Sequence, residues 1–129
     1  MIGGRVLDCC ALPHTSAVED TLRVVFVRSG RSEPVSTSAL ADALHVSPPT
    51  VSIMLKRLTA AGLVRRTDGH LAALTDHGAA HARDVVRRHR LLEAFLSREL
   101  GVPWDEVHAE ADALEHAVSD RLLDRIDRH

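Results

Sequence analysis

Among the side chains of residues 104–117 (WDEVHAEADALEHA) that could ligate a metal ion are His108, Asp112, Glu115 and His116. Their offsets are 0, 4, 7 and 8. At about 100° per helical residue they share an arc of roughly 100°. Small or apolar Ala111, Ala113 and Leu114 interrupt the stripe. Two carboxylates on one helix face repel unless a cation or proton lies between them. Imidazole nitrogen beside carboxylate oxygen is a donor set for divalent first-row cations. Upstream, His89 and Glu93 stand one helical turn apart, a spacing that aims two ligands at one point. Glu19 and Asp20 offer further carboxylates near the start. His14, His45, His70, His77, His81 and His129 read as ordinary surface histidines.

The elements that must position these groups are mostly helices, and the fold class expected is mainly α. Residues 1–15 show no periodicity and read as a tail. From Ser16, a capping residue, Val18, Leu22, Val25 and Phe26 recur at helical spacing. SGRSEP (29–34) is a loop. Ser36 or Thr37 caps a short second helix with Leu40, Ala43 and Leu44 inward. A turn at His45-Val46 leads to Ser47-Pro48-Pro49, and proline is tolerated in such a first helical turn. The third helix turns Val51, Met54, Leu55 and Leu58 to one side and stops at Gly62. Leu63-Val64 and Leu71–Leu74 are short strands around an Asp68-Gly69 hairpin turn. Thr75 caps a long helix to about Leu100, broken by Gly101 and Pro103. A fifth helix covers roughly 104–117, and Ser119 caps a last one. The domains expected are a tail (1–15), a winged helix-turn-helix (16–75) and a helical metal-binding and dimerisation domain (76–129).

Helix, short turn, helix and a hairpin with two arginines is the layout of a winged helix-turn-helix. Its second helix fits the major groove, first turn leading. Here Ser47, Pro49, Thr50, Ser52 and Ile53 are the candidates to meet bases or nearby phosphates, with Pro49 and Ile53 suited to thymine methyls. Lys56, Arg57, Arg65 and Arg66 are the expected phosphate contacts. The net charge of −2 conceals an asymmetry. Residues 1–90 carry 12 Arg/Lys against 8 Asp/Glu, and residues 91–129 carry 4 against 10. A basic front suits a polyanion and an acidic back suits a cation.

Apolar residues make up 45% of the chain, which excludes wholesale disorder. No run approaches the ~18 apolar residues of a membrane span, and the start lacks a secretory apolar stretch, so no membrane role and a cytoplasmic location are expected. Cys9 and Cys10 are adjacent and are the only cysteines, which rules out a disulfide scaffold.

From about Ser16 onward the sequence resembles the diphtheria toxin repressor family of metal-dependent transcriptional regulators. The residues that carry the likeness are SPPTVSIMLKRLTAAGLV (47–64), RRHRLLEAFL (87–96) and GVPWDEVHAEADALEHAVSD (101–120). The resemblance implies a homodimeric, metal-activated repressor that binds a palindromic double-stranded DNA operator and controls metal-homeostasis genes. It implies a primary metal site of Asp20, Asp112, Glu115 and His116, and a second of His89, Glu93 and His108. Asp20 and Asp112 stand where the iron-responsive branch has Met and Cys and the manganese branch has carboxylates. Hard oxygen in place of sulfur points to Mn²⁺, with Fe²⁺ or Co²⁺ as the other cations. The manganese branch has Glu where Arg23 stands, and the iron repressors have Gln where Ile53 stands. The resemblance places the chain with the short members, so the SH3-like domain of longer members is not expected. Leu114, Val118 and Leu122 are expected at the dimer seam. Three other readings start from the same residues: an Fe²⁺-responsive repressor, a winged-helix regulator answering an organic ligand, and a small metallohydrolase. A set of up to seven ligands leaves little open coordination for a substrate, and no nucleophile–base pair is visible, so no enzyme is expected.

Overall fold

A computed structural model describes residues 5–6, 13–29, 33–68 and 71–129 of the chain. Cys9, Cys10 and the Gly69-His70 end of the expected hairpin turn lie outside the described residues. The elements are β1 (Arg5–Val6), β2 (Pro13–His14), α1 (Ser16–Ser29), β3 (Val35–Ser36), α2 (Thr37–Leu44), α3 (Pro48–Ala60), β4 (Val64–Thr67), β5 (Leu71–Leu74), α4 (Asp76–Leu100), α5 (Trp104–Glu115) and α6 (Asp120–Arg128). The chain forms two compact units, residues 1–83 and 84–129.

In the first unit, three helices pack with a small sheet of order β3-β5-β4. β4 and β5 are antiparallel, with Val64 opposite Leu74 and Thr67 opposite Leu71. Leu22 of α1, Leu40 of α2, Leu55 and Leu58 of α3, and Leu63 before β4 are fully buried in one apolar core. Local chemistry sets each boundary. The Ser36 side chain accepts from Ala39 N at 3.1 Å, and Ser47 accepts from Thr50 N at 3.4 Å, so each occupies an N-cap. Pro48 and Pro49 fill the first turn of α3, where no N–H is needed. α2 ends on His45 in the left-handed region (φ 58°), with Val46 N reaching back to Ala41 O at 3.1 Å. Gly62 (φ 77°) turns the chain from α3 into the wing, where Asp68 also has positive φ.

Three expectations need correction. The α1 cap is Thr15, whose Oγ1 accepts from Val18 N at 3.3 Å, and Ser16 is the first helical residue. A third strand, β3, pairs antiparallel with β5, placing Val35 opposite Ala72. The stretch read as a tail contains β1 and β2, which pair with each other. Segments of two residues carry no alternation long enough to read.

In the second unit, the rest of α4 packs with α5 and α6 around Leu92, Leu96, Val107, Ala111 and Leu123. Gly101 (φ 64°) lets Val102 N bond back to Leu96 O at 3.0 Å, closing α4. Ser119 caps α6 by accepting from Leu122 N at 3.1 Å. α5 stops at Glu115, two residues short of expectation, which leaves His116 as its C-cap (φ −85°). Leu114 and Leu122 are exposed, and Val118 is half-buried against the unit's own core. Leu100 and Trp104, the latter 89% exposed, add apolar surface to this unit. Among the described residues no helix is long and apolar enough to cross a membrane.

Candidate metal centre and nucleic-acid interface

The second unit brings His89 and Glu93 of α4 against His108, Asp112, Glu115 and His116 at the end of α5. His89 is the hub. Its Nε2 lies 3.2 Å from Glu93 Oε2 and 3.1 Å from His108 Nδ1. Its Nδ1 lies 3.3 Å from Asp112 Oδ1 and 3.3 Å from Glu115 Oε2. His108 Nδ1 is 3.2 Å from Glu93, and its Nε2 is 3.6 Å from Asp112 Oδ2. His116 Nε2 stands 3.5 Å from Glu115 Oε1. Two sets of potential ligands, His89-Glu93-His108 and His89-Asp112-Glu115, therefore meet on one imidazole.

Burial gives this cluster its chemical meaning. Glu115 is 2% exposed and His89 6%. A carboxylate withdrawn from water is costly unless positive charge or hydrogen bonds compensate it. Ligand atoms about 2.1 Å from a shared cation stand about 3 Å apart when at right angles. The spacings of 3.2–3.5 Å around His89 and Glu115 approach that figure. The donor set and its convergence thus fit a divalent cation.

Asp20 belongs to the first unit. It lies half-buried on α1 with Arg23 Nη2 3.6 Å from its Oδ1. Glu19 beside it is buried. The guanidinium of Arg23 therefore places positive charge beside the Asp20 carboxylate.

Arg88 was not singled out from the sequence, and the structure gives it a defined task. Although charged, it is 3% exposed. Its Nη1 donates to Asp120 Oδ1 at 2.5 Å, and its Nη2 donates to Glu115 O at 2.9 Å and Val118 O at 2.7 Å. A cation on the last carbonyls of a helix satisfies groups with no partner inside the helix. Here it fixes the end of α5, where Glu115 and His116 sit, to the residue next to His89. The signal in sequence was weak, since Arg88 stands in an Arg-Arg-His-Arg run that reads as surface charge. Arg88→Met should lower divalent-metal affinity about 10- to 100-fold, the range for lost outer-shell support. Arg88→Lys should recover part of it. Metal titration beside thermal unfolding of the metal-free protein checks this, because general loosening alone would move stability and leave affinity at matched folding unchanged.

On the first unit, α3 presents Ser47, Pro49, Thr50, Ile53, Lys56 and Arg57 to solvent, with Ser52 half-exposed. Ile53 is 58% exposed, so its apolar side chain is open to contact on this face of α3. The Ser47 and Thr50 hydroxyls bond each other at 2.9 Å as part of the helix cap. In the wing, Arg65 is exposed, whereas Arg66 is half-buried and its Nε donates to Leu71 O at 3.3 Å. Arg66 therefore braces the hairpin.

A winged helix-turn-helix joined to a helical unit with a His/carboxylate cluster is the layout of a metal-sensing transcription regulator. The comparisons with known proteins agree. The family model described as the iron dependent repressor N-terminal DNA binding domain matches residues 14–70, and that of its metal binding and dimerisation domain matches residues 75–129. The chain belongs to this family of iron-dependent, diphtheria-toxin-type repressors. It is 41% identical over 87 residues to the iron-dependent repressor IdeR of Mycobacterium tuberculosis, covering 67% of this chain and 38% of that relative. It is 30% identical over 112 residues to the HTH-type transcriptional regulator MntR of Lysinibacillus sphaericus, covering 87% and 80%. A solved structure of a manganese-dependent transcriptional repressor in complex with manganese superposes with a TM-score of 0.77 at 49% identity, over 85% of this chain and 50% of that one. The chain thus spans well under half the length of IdeR and about half of that structure.

Proposed function

We propose that this protein is a metal-activated repressor that binds DNA as a homodimer, with Mn²⁺ as the preferred cation. The observation that carries the reading is the buried Glu115 carboxylate within 3.5 Å of two imidazoles, His89 and His116, on a unit separate from the winged helix. The primary ligands are Asp112, Glu115, His116 and Asp20, and the second set is His89, Glu93 and His108. Asp20 enters on the family resemblance. As a ligand on α1 it gives the cation a hold on the DNA-binding unit. A bound divalent cation supplies positive charge to neutralise the carboxylates. With that charge in place Asp112 and Glu115 would no longer repel, and Asp20 would make the DNA-binding unit answer to the same ion. Moving a population from 1% to 99% competent takes about 5.5 kcal/mol of preferential binding, a modest demand on several charged ligands.

Mn²⁺ is favoured because Asp20 and Asp112 bring oxygen where the iron branch brings sulfur. Fe²⁺ and Co²⁺ are the next candidates, and the identity to IdeR keeps an Fe²⁺-responsive regulator as the second reading. The exposed Leu100, Trp104, Leu114 and Leu122 supply apolar surface for pairing two copies. A two-fold dimer reads an inverted repeat with half-sites about one helical turn, or a multiple, apart.

The reading is tested by measuring DNA binding during titration with Mn²⁺, Fe²⁺ and Co²⁺ in turn. Mn²⁺ should activate at the lowest free concentration. Activation by Fe²⁺ at a lower concentration would reassign the sensor, and equal binding without metal would remove the switch. On the DNA side, Arg65→Ala should flatten the slope of log K against log salt by about one per subunit. Arg66→Ala should flatten it likewise and also lower the stability of the wing.

A further inference from the structure

His77 and His81 lie one turn apart on the first two turns of α4, and from the sequence they read as unremarkable surface residues. Their rings converge. The two Nε2 atoms are 3.0 Å apart, with ring centroids 4.8 Å apart and planes inclined at 53°. Imidazole nitrogens bind a late first-row cation at about 2.0–2.1 Å, which separates two nitrogens by about 2.9 Å at right angles and about 3.4 Å in a tetrahedron. The observed spacing matches the right-angled case. An N–H···N bond between the rings spans the same distance and keeps the two nitrogens close before any ion arrives; an ion would displace the shared proton, and both lone pairs would turn onto it.

The support beneath the pair is rigid. Thr75 Oγ1 accepts from Gly78 N at 3.0 Å and donates to Gly62 O at 2.6 Å, while Ala79 N bonds Thr75 O at 2.8 Å. Gly78, between the two histidines, lies so close to Leu63 that a Cβ would come within 1.8 Å of its carbonyl oxygen. Ligands fixed on a braced helix lose little freedom on binding.

We propose that His77 and His81 form a bis-imidazole site for Ni²⁺ or Cu²⁺ on the DNA-binding unit, apart from the carboxylate-rich cluster on the second unit. Nitrogen donors and a right-angled bite favour these later cations over Mn²⁺. The protein then has two metal inputs of different chemistry, one rich in oxygen and one made of nitrogen.

The test is the number of ions bound per chain at saturation, measured by equilibrium dialysis with NiCl₂ and separately with MnCl₂. Wild type should bind one more Ni²⁺ than the His77→Ala/His81→Ala variant, with equal Mn²⁺ counts. Either single substitution should weaken that ion on the order of 10²-fold by removing the second point of attachment. Nickel should also broaden the ring resonances of His77 and His81. Equal nickel counts in wild type and double variant, with both folded by circular dichroism, would overturn the proposal.

Discussion

Glu115→Gln should lower affinity for Mn²⁺ by at least about 10²-fold, beyond what loss of an outer-shell partner costs. The metal-free protein should unfold at the same temperature or higher. Glutamine keeps the shape of a side chain that is almost wholly buried while removing the charge whose desolvation needs compensation. Opposite effects on affinity and stability are the signature of a ligand, since a residue that merely packs loses both together. His116→Ala should give the same loss of affinity, because its Nε2 stands 3.5 Å from the other Glu115 oxygen. Calorimetric titration with Mn²⁺ and thermal melts in chelator measure the two quantities. Unchanged Mn²⁺ affinity in both variants would remove Glu115 and His116 from the metal centre.

The largest effect on stability is expected at Gly78→Ala. Most mid-helix glycines gain from alanine, which narrows the unfolded ensemble and favours helix. Here the added methyl would sit 1.8 Å from Leu63 O and 2.8 Å from Leu63 C. That carbonyl accepts from Thr75 N at 3.1 Å, so yielding room breaks the bond that joins the start of α4 to the base of the wing. Overpacking costs about 1–3 kcal/mol and occasionally more, a large share of the roughly 5–15 kcal/mol that holds a domain folded. Chemical denaturation should show a lowered midpoint with an unchanged slope. A stabilised Gly78→Ala protein would mean that the first turn of α4 does not press on Leu63.

How much of this could be read in the sequence follows from the length over which each signal acts. The caps Thr75 and Ser119 were legible, and Ser36 as one of two candidates with Thr37, because a hydroxyl before an apolar run has one strong local use. The α3 face of Val51, Leu55 and Leu58 was legible from its period. Strand β3 was not, since its two residues pair with β5 across more than thirty positions of sequence. The ligand stripe on α5 was visible as a wheel pattern, but the end of that helix at Glu115 was not, because three bonds from Arg88 on another helix hold the chain there. His89 illustrates the same limit. Spacing paired it with Glu93, and only packing reveals that its second nitrogen faces Asp112 and Glu115. For Arg66, its place in the hairpin suggested a phosphate contact, and only the structure adds that its Nε donates to the Leu71 carbonyl.

The central claim is that occupancy of the His/carboxylate centre controls DNA recognition, and selection from a random-sequence duplex pool tests it most directly. The full chain is incubated with the pool once in Mn²⁺ and once in excess chelator, and the bound fractions are sequenced. An inverted repeat with half-sites about one helical turn or a multiple apart should be enriched with Mn²⁺, with no enrichment in chelator. The same repeat enriched equally in chelator, or no sequence enriched in Mn²⁺, would contradict the account.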